Sequence, residues 1–252
     1  MALPPAGLDY LLQCGDNALI LGQRLGEWTG HGPALEPDIA LTNIALDLVG
    51  EARNWLTLAG ELEMKGRSED DLAFLRHATD YCNLLLVEQP NGDFAHTIIR
   101  QFLFDSFHYF QLESLLQSGH EGIRAIAQKS HKEATYHLRY SSEWVIRLGD
   151  GTEESHERMQ TALNEHWRFA EEALHPTPAD EWAAGQGWAV NPADLAPRVS
   201  ERRRAIFQEA TLIVPLETAA RTGGKTGAHT ESLGYILAEM QFLQRAHPGA
   251  TW

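Results

Sequence analysis

Small and apolar residues recur along this 252-residue chain at the three- and four-residue spacing that marks one face of an α-helix. Glycine, proline or polar turns separate the periodic stretches. The pattern predicts a short helix that begins at Ser68 and longer helices over residues 8–25, 38–65, 94–117, 121–148, 152–174, 199–213 and 230–246. No stretch shows the sustained alternation of a β-strand, so the sequence predicts an all-α protein.

The four longest predicted helices are joined in pairs, which favours a ferritin-like four-helix bundle. We expect a single ferritin-like helical domain over residues 1–252, with the core bundle at about 6–150 and additional C-terminal helices and loops at 151–252. Residues 176–197 contain four prolines and several glycines, and this composition predicts an irregular segment.

The overall charge narrows the possible partners. A formal net charge of −15 argues against nucleic acid or an anionic membrane surface as the main partner. The chain has two cysteines, Cys14 and Cys82, which we expect to be thiols in a reducing compartment. No apolar run approaches the roughly 20 residues needed to span a bilayer, and the N-terminus lacks the basic region of a secretory signal. We therefore expect a cytoplasmic protein.

A di-iron centre in a helix bundle takes a carboxylate from each of two helices and a Glu-x-x-His pair from each of the other two. Four carboxylate-x-x-His pairs occur: Asp93/His96, Asp105/His108, Glu153/His156 and Glu172/His175. Three of them lie at helix ends, where a capping or solvent-exposed role is expected. Asp105/His108 differs because its surroundings, RQFLFDSFHYF, are strongly apolar. A buried aspartate has to be paired, hydrogen-bonded or metal-bound, so a polar cluster in the core and a metal site are both open.

The other predicted helices do not complete a ligand set. In HKEATYHLRY, Glu133 precedes His137 by four residues, and Ala134 occupies the position three before the histidine. On the second long helix no histidine follows at the required spacing after the polar residues Asp47, Glu51 and Asn54. A full six-ligand di-iron site cannot be assembled from these positions. The alternative, an active ferritin-like metal-dependent oxidase, would have to use Asp105, His108, Glu133 and His137.

Long specific runs across essentially the whole chain resemble the PaaC subunits of bacterial phenylacetyl-CoA epoxidases, the ring 1,2-phenylacetyl-CoA monooxygenases. These runs are GDNALILGQRLGEWTGHGPALEPDIALTNIALDLVGEARNWL, NLLLVEQPNGDFAHTIIRQF, KEATYHLRYSSEW and EATLIVPLETAARTGGKTGAHTESLGYILAEMQFLQRAHPGATW. The resemblance implies membership of a multicomponent monooxygenase complex that acts in aerobic phenylacetate degradation.

The same resemblance implies the partners and the cofactor. In this family the catalytic subunit PaaA carries the di-iron centre and epoxidises the ring of phenylacetyl-CoA with O2. PaaC is similar in fold but is a non-catalytic structural subunit that pairs with PaaA and stabilises it. A bridging subunit, PaaB, and a transiently bound NADPH-dependent reductase complete the system. We therefore expect no cofactor in this chain, and a homodimer is an open possibility when the chain is alone.

Compared with the ligand pattern of the catalytic subunit, the resemblance implies a degenerate di-iron site and no catalytic residue. Asp105 stands at a lone carboxylate position and His137 at the end of one Glu-x-x-His motif, whose glutamate Ala134 replaces. Glu51 and Asn54 occupy the other motif, with Asp47 and Gly50 as the alternative register. Either register lacks the imidazole. We expect the remaining acids to be neutralised by Arg53, Lys132 or Arg139.

A basic, glycine-rich loop, AARTGGKTGAHTES, covers residues 219–232 and contains Arg221, Lys225 and His229. Glycine amides, a lysine and a helix N-terminus are able to bind phosphate, although the glycine spacing is not that of a P-loop. Two interpretations stay open: a contact with the phosphates of phenylacetyl-CoA, or a loop shaped for contact with another subunit.

Overall fold

The computed structural model describes residues 3–216 and 219–250. The chain divides into two compact units. The first comprises Met1–Pro90, Thr177–Trp182 and Gly223–Trp252, and the second comprises Asn91–Pro176 and Ala183–Thr222.

Ten α-helices and no β-strand occur in the described residues, which confirms the all-α prediction. In chain order they are α1 Pro5–Gly26, α2 Leu35–Glu63, α3 Glu69–Phe74, α4 Phe94–Leu115, α5 Glu121–Gly149, α6 Glu153–Ala170, α7 Pro178–Gly185, α8 Pro192–Glu209, α9 Glu231–Met240 and α10 Phe242–Ala246.

Local side-chain chemistry sets several helix starts. Ser68 and Asp71 form a capping box in which each side chain accepts the other residue's backbone N–H, and α3 begins directly after Ser68. Asp93 caps α4, because its Oδ1 accepts the backbone N–H of His96 at 3.0 Å. Both caps satisfy amides that have no partner within the helix itself.

The first unit is built on α1 and α2, which pack against each other along their lengths. Their close approach depends on small residues of α1. A Cβ atom at Gly15 would lie 2.9 Å from the Leu56 side chain of α2. Apolar side chains from both helices, including Leu11, Leu48 and Trp55, are fully buried in this interface.

The second unit is built on α4, which packs against α5, α6 and α8. Arg203 of α8 is buried there and donates hydrogen bonds to the carbonyl oxygen of Leu103, the hydroxyl of Ser106 and the carbonyl oxygen of Ala170. Each unit thus contributes one pair of long neighbouring helices, α1 with α2 and α4 with α5, which is consistent with a ferritin-like bundle. The single-domain boundary over 1–252 stays a prediction.

The structure differs from the sequence prediction between residues 176 and 197. This segment is not irregular, because it contains α7 and the first turn and a half of α8. Pro192 opens α8 at a position where the absent N–H is harmless, and Asn191 caps the helix. The predicted last helix is also interrupted, at Gln241, whose side-chain amide donates to the carbonyl oxygens of Ala73 and Arg76.

Within residues 3–216 and 219–250, none of the helices is both long enough and apolar enough to cross a lipid bilayer.

Candidate functional site

The polar centre of the second unit is formed by Asp105 of α4. Its side chain is 1% exposed. The amide Nε2 of Gln101, one turn earlier, donates to Oδ1 at 2.7 Å. The hydroxyl of Ser141 on α5 donates to Oδ2 at 2.7 Å. Both carboxylate oxygens are therefore engaged by protein donors, as a buried carboxylate requires.

Burial dominates the electrostatics of this group and raises the pKa of Asp105 above its usual range. The nearby His137 and His108 and the hydrogen bonds from Ser141 and Gln101 act in the opposite direction but do not cancel the effect of burial. The structure thus brings together Asp105, His108 and His137, as the sequence suggested. His108 is buried, with its ring 4.8 Å from the ring of Phe104.

The α4–α5 cluster does not fit the donor set of a di-iron centre. Ala134, buried one turn before His137, places a methyl group where a bridging carboxylate is required. Glu133 is only half-buried, and Asp105 directs its oxygens at Gln101 and Ser141. Across the part of the chain that the structure describes, no three His, Cys, Asp or Glu side chains are grouped so that they could hold a metal ion.

In the first unit, Glu51 of α2 is buried and its Oε1 accepts the indole N–H of Trp55 at 2.9 Å. Asn54 is half-buried. The residues of the alternative register, Asp47 and Gly50, are also half-buried. Glu51 is thus the most deeply buried of the four, and its charge contributes to a raised pKa of the Cys14 thiol, for which burial is the main cause.

The predicted arginine and lysine partners of these acids are not found with them. Arg53 donates to Glu69 at 3.2 Å, and Arg139 lies 4.0 Å from Glu143, both on exposed surface. Lys132 is exposed on α5. The prediction is wrong because residues one or two positions from a buried residue point to a different side of the helix.

In the basic loop, the Nζ atom of Lys225 lies 2.6 Å from Asp180 Oδ2, and both side chains are buried. His229 lies in the same unit, with Nδ1 3.1 Å from Glu88 Oε2 and Nε2 2.9 Å from the carbonyl oxygen of Tyr81. Burial opposes the charged imidazolium, but these hydrogen bonds outweigh it and raise the pKa of His229. Arg221 belongs to the second unit, where its side chain is exposed and its backbone N–H donates to the carbonyl oxygen of Arg168.

A cavity of about 610 Å³ adjoins Lys225 in the first unit. Three cationic side chains line it, and each has an acidic partner: Arg67 with Glu63, Arg76 with Asp16 and Lys225 with Asp180. Because the positive charges are neutralised internally, this arrangement favours the structural interpretation of Lys225 over phosphate binding.

Sequence reasoning missed the buried acids Asp16, Glu88 and Asp180. Asp16 pairs with Arg76 and also accepts the backbone N–H of Cys82 at 2.9 Å. Its position within the apolar run LLQCGDNALIL was the same signal that singled out Asp105. Glu88 accepts the side chain of Asn83 and the backbone N–H of Thr230, and its sequence context, a turn-rich stretch, gave no indication of burial.

Comparison with known proteins adds two findings. A family model described as phenylacetic acid catabolic protein matches residues 4–252. The chain is also 51% identical over 243 residues to the C subunit of the 1,2-phenylacetyl-CoA epoxidase of Escherichia coli (strain K12), and this similarity covers 96% of the chain and 98% of the relative.

Proposed function

The chain belongs to the family of phenylacetic acid catabolic proteins, and from this premise we propose that it is a non-catalytic structural subunit of a di-iron phenylacetyl-CoA epoxidase. In this role it pairs with the catalytic subunit PaaA, which holds the di-iron centre, and stabilises it in aerobic phenylacetate degradation. The bridging subunit PaaB and a reductase complete the complex. The E. coli relative is named as one subunit of such an epoxidase, which supports this assignment.

One observation carries the non-catalytic role. Both oxygens of Asp105 accept hydrogen bonds from protein groups, and α5 carries Ala134 one turn before His137. A carboxylate that binds iron has to direct its lone pairs at the metal, and a methyl group offers none. The α4–α5 centre is therefore suited to holding two helices in register rather than to ligating iron.

The surface of α2 supports a role in an assembly. Leu35, Ile39, Leu46 and Val49 lie on one side of this helix, and their side chains are 38–70% exposed in the isolated chain. Apolar side chains aligned on one exposed helix face are typical of surfaces that another chain covers. This stripe extends over half the length of the helix.

Co-expression tests the proposal. The catalytic subunit is produced with and without this chain, and its yield, its association with the chain and the epoxidation of phenylacetyl-CoA by the reductase-coupled system are measured. We expect a stable complex, and turnover that depends on the presence of this chain. A catalytic subunit that is equally stable and equally active without the chain would contradict the proposal.

A further inference from the structure

One face of the second unit is positively charged although the whole chain is strongly acidic. Helix α5 carries five Lys or Arg and three Asp or Glu, and α8 carries four and three, so the two helices together have a net charge of +3. The whole chain has a formal net charge of −15. A local reversal of charge of this size sets up attraction for an acidic partner.

The four arginines of α8 differ in their partners. Arg203 is buried and hydrogen-bonded, and Arg198 lies 2.5 Å from Glu113 with its guanidinium over the ring of Phe110. Arg202 and Arg204 are exposed and, among the described residues, form no hydrogen bond or ion pair. Of these two, Arg202 lines a groove and Arg204 does not.

This groove, which we call the α5–α8 groove, has a volume of about 370 Å³. The buried side chains of Leu138 and Ile206 lie in its floor, Tyr109 of α4 lies at its wall, and Arg139 and Arg202 stand at its edge. The ion pair of Arg139 with Glu143 spans 4.0 Å between two largely exposed side chains. Such a pair is weak, so Arg139 is available to a competing carboxylate.

The combination of an apolar floor with two arginines at the edge selects the occupant. A free phosphate would use the arginines but gain nothing from Leu138 and Ile206, whereas an apolar side chain next to a carboxylate would use both. A second copy docked symmetrically through this face would bring the same positive helices together, which is unfavourable. The remaining occupant is a different polypeptide.

We propose that the α5–α8 groove binds an acidic, amphipathic segment of another subunit, with an apolar side chain over Leu138 and Ile206 and a carboxylate paired with Arg202. This inference rests on the proposed function, because the partner is taken to be a subunit of the epoxidase complex. It adds a surface and a recognition chemistry to that function.

The test is a charge reversal, Arg202→Glu, with Arg204→Glu as the matched control two residues away on the same helix. Dissociation constants of the full-length chain are measured separately for the catalytic subunit and for the bridging subunit at low and high salt. For one of the two subunits we expect R202E to weaken binding about ten-fold or more at low salt and less at high salt, because screening reduces the charge effect. We expect R204E to change binding by less than about two-fold.

Thermal unfolding of the isolated variants checks folding, and both variants should match the wild type because neither arginine has a partner in the described chain. Unchanged binding of both subunits by R202E would overturn the inference, as would an equal loss in R202E and R204E. A loss of phenylacetyl-CoA affinity with subunit binding intact would also overturn it, in favour of a small-anion site. A wild-type chain that binds neither subunit would contradict the proposed function, and with it this inference.

Discussion

Asp105 is a buried carboxyl group that is hydrogen-bonded by neutral donors, Gln101 and Ser141. A raised pKa in the folded state means that the folded chain resists ionisation of this group more than the unfolded chain does. Its contribution to stability is therefore fully present below the unfolded pKa of about 4 and is lost as the pH rises through the folded value.

The first prediction follows from this sign. Asp105→Asn removes the ionisation and keeps one acceptor oxygen, so the variant should gain stability relative to the wild type as the pH is raised from 5 to 8. Urea unfolding at the two pH values measures the change. Asn54→Asp, a conversion at a half-buried position, serves as the opposite-sign control. A D105N variant whose deficit grows toward pH 8 would show that the carboxylate stabilises the fold.

His166 has the opposite pH dependence. Burial, together with the positive charge of Arg100, lowers the pKa of His166 to about 4, although its Nδ1 lies within hydrogen-bonding distance, 3.0 Å, of the carbonyl oxygen of Ala162. A lowered pKa stabilises the fold above the unfolded value of about 6.5, and this contribution is lost as the pH falls toward 4.

We therefore predict that the wild-type chain loses about 3 kcal/mol of stability between pH 6.5 and 4 through this group, and that His166→Phe does not show this loss. Denaturant unfolding across that range measures both chains, with exposed His31 replaced in the same way as a control. Parallel stability curves for wild type and H166F would rule out the buried histidine as the cause of acid sensitivity.

Among the structural elements, the glycine-rich loop is held by side chains that point into the first unit. Lys225 pairs with Asp180, which also accepts the backbone N–H and the hydroxyl of Thr177. Gly227 adopts φ +84° beside the carbonyl oxygen of Thr79, where a Cβ atom would lie 2.5 Å from that oxygen. Both features indicate that the loop conformation depends on this packing.

For this loop we predict that Lys225→Met destabilises the chain by about 3–5 kcal/mol, because Asp180 is left buried without its cation. Adding Asp180→Asn to the same chain should recover much of the loss. Chemical denaturation of the single and double variants measures the coupling, and Lys129→Met on an exposed position is the control. A K225M chain that keeps its stability, in a complex with weakened affinity for phenylacetyl-CoA, would instead support phosphate binding.

The exposed stripe of α2 leads to a prediction about assembly. Leu46→Glu should weaken the complex with the other subunits about ten-fold or more while leaving the unfolding of the isolated chain nearly unchanged, because the side chain is 65% exposed. Analytical ultracentrifugation of the reconstituted complex measures the effect. Leu75→Glu, at an exposed leucine away from α2, is the matched control, and equal effects of the two substitutions would remove the special role of the stripe.

The elements also show how far sequence patterns extend. The starts of α3 and α4 could be predicted because the caps, Ser68 and Asp93, lie within three residues of the amides that they satisfy. Helix α7 was missed because its anchor is distant in sequence: Trp182 packs so closely on α1 that a Cβ atom at Gly7 would lie 2.7 Å from its ring. No local pattern encodes that contact.

The same limit applies to the candidate site. The burial of Asp105 could be predicted from its apolar neighbours, and the absence of a glutamate at Ala134 could be read directly from the spacing. The partners of Lys225 and Arg76 could not be predicted, because Asp180 and Asp16 lie 45 and 60 residues away in the chain. Pairs of this kind depend on the tertiary fold.

The molecule as a whole keeps its polar core and its binding surfaces apart. The buried carboxylates described above are hydrogen-bonded or ion-paired within the chain, whereas an apolar stripe on α2 and a positive groove on α5 and α8 are left at the surface. This distribution supports a chain whose contribution is to hold partners, with the redox chemistry located in another subunit.

Iron content separates a structural role from a catalytic one. It is measured on the separately purified chain after anaerobic loading with Fe(II) and desalting, beside the catalytic subunit treated in the same way. We predict stoichiometric iron in the catalytic subunit and far less than one iron per molecule in this chain, with no difference between wild type, D105N and His137→Ala. Stoichiometric iron in this chain that is lost in D105N and H137A would contradict the structural role and would favour an active metal-dependent oxidase.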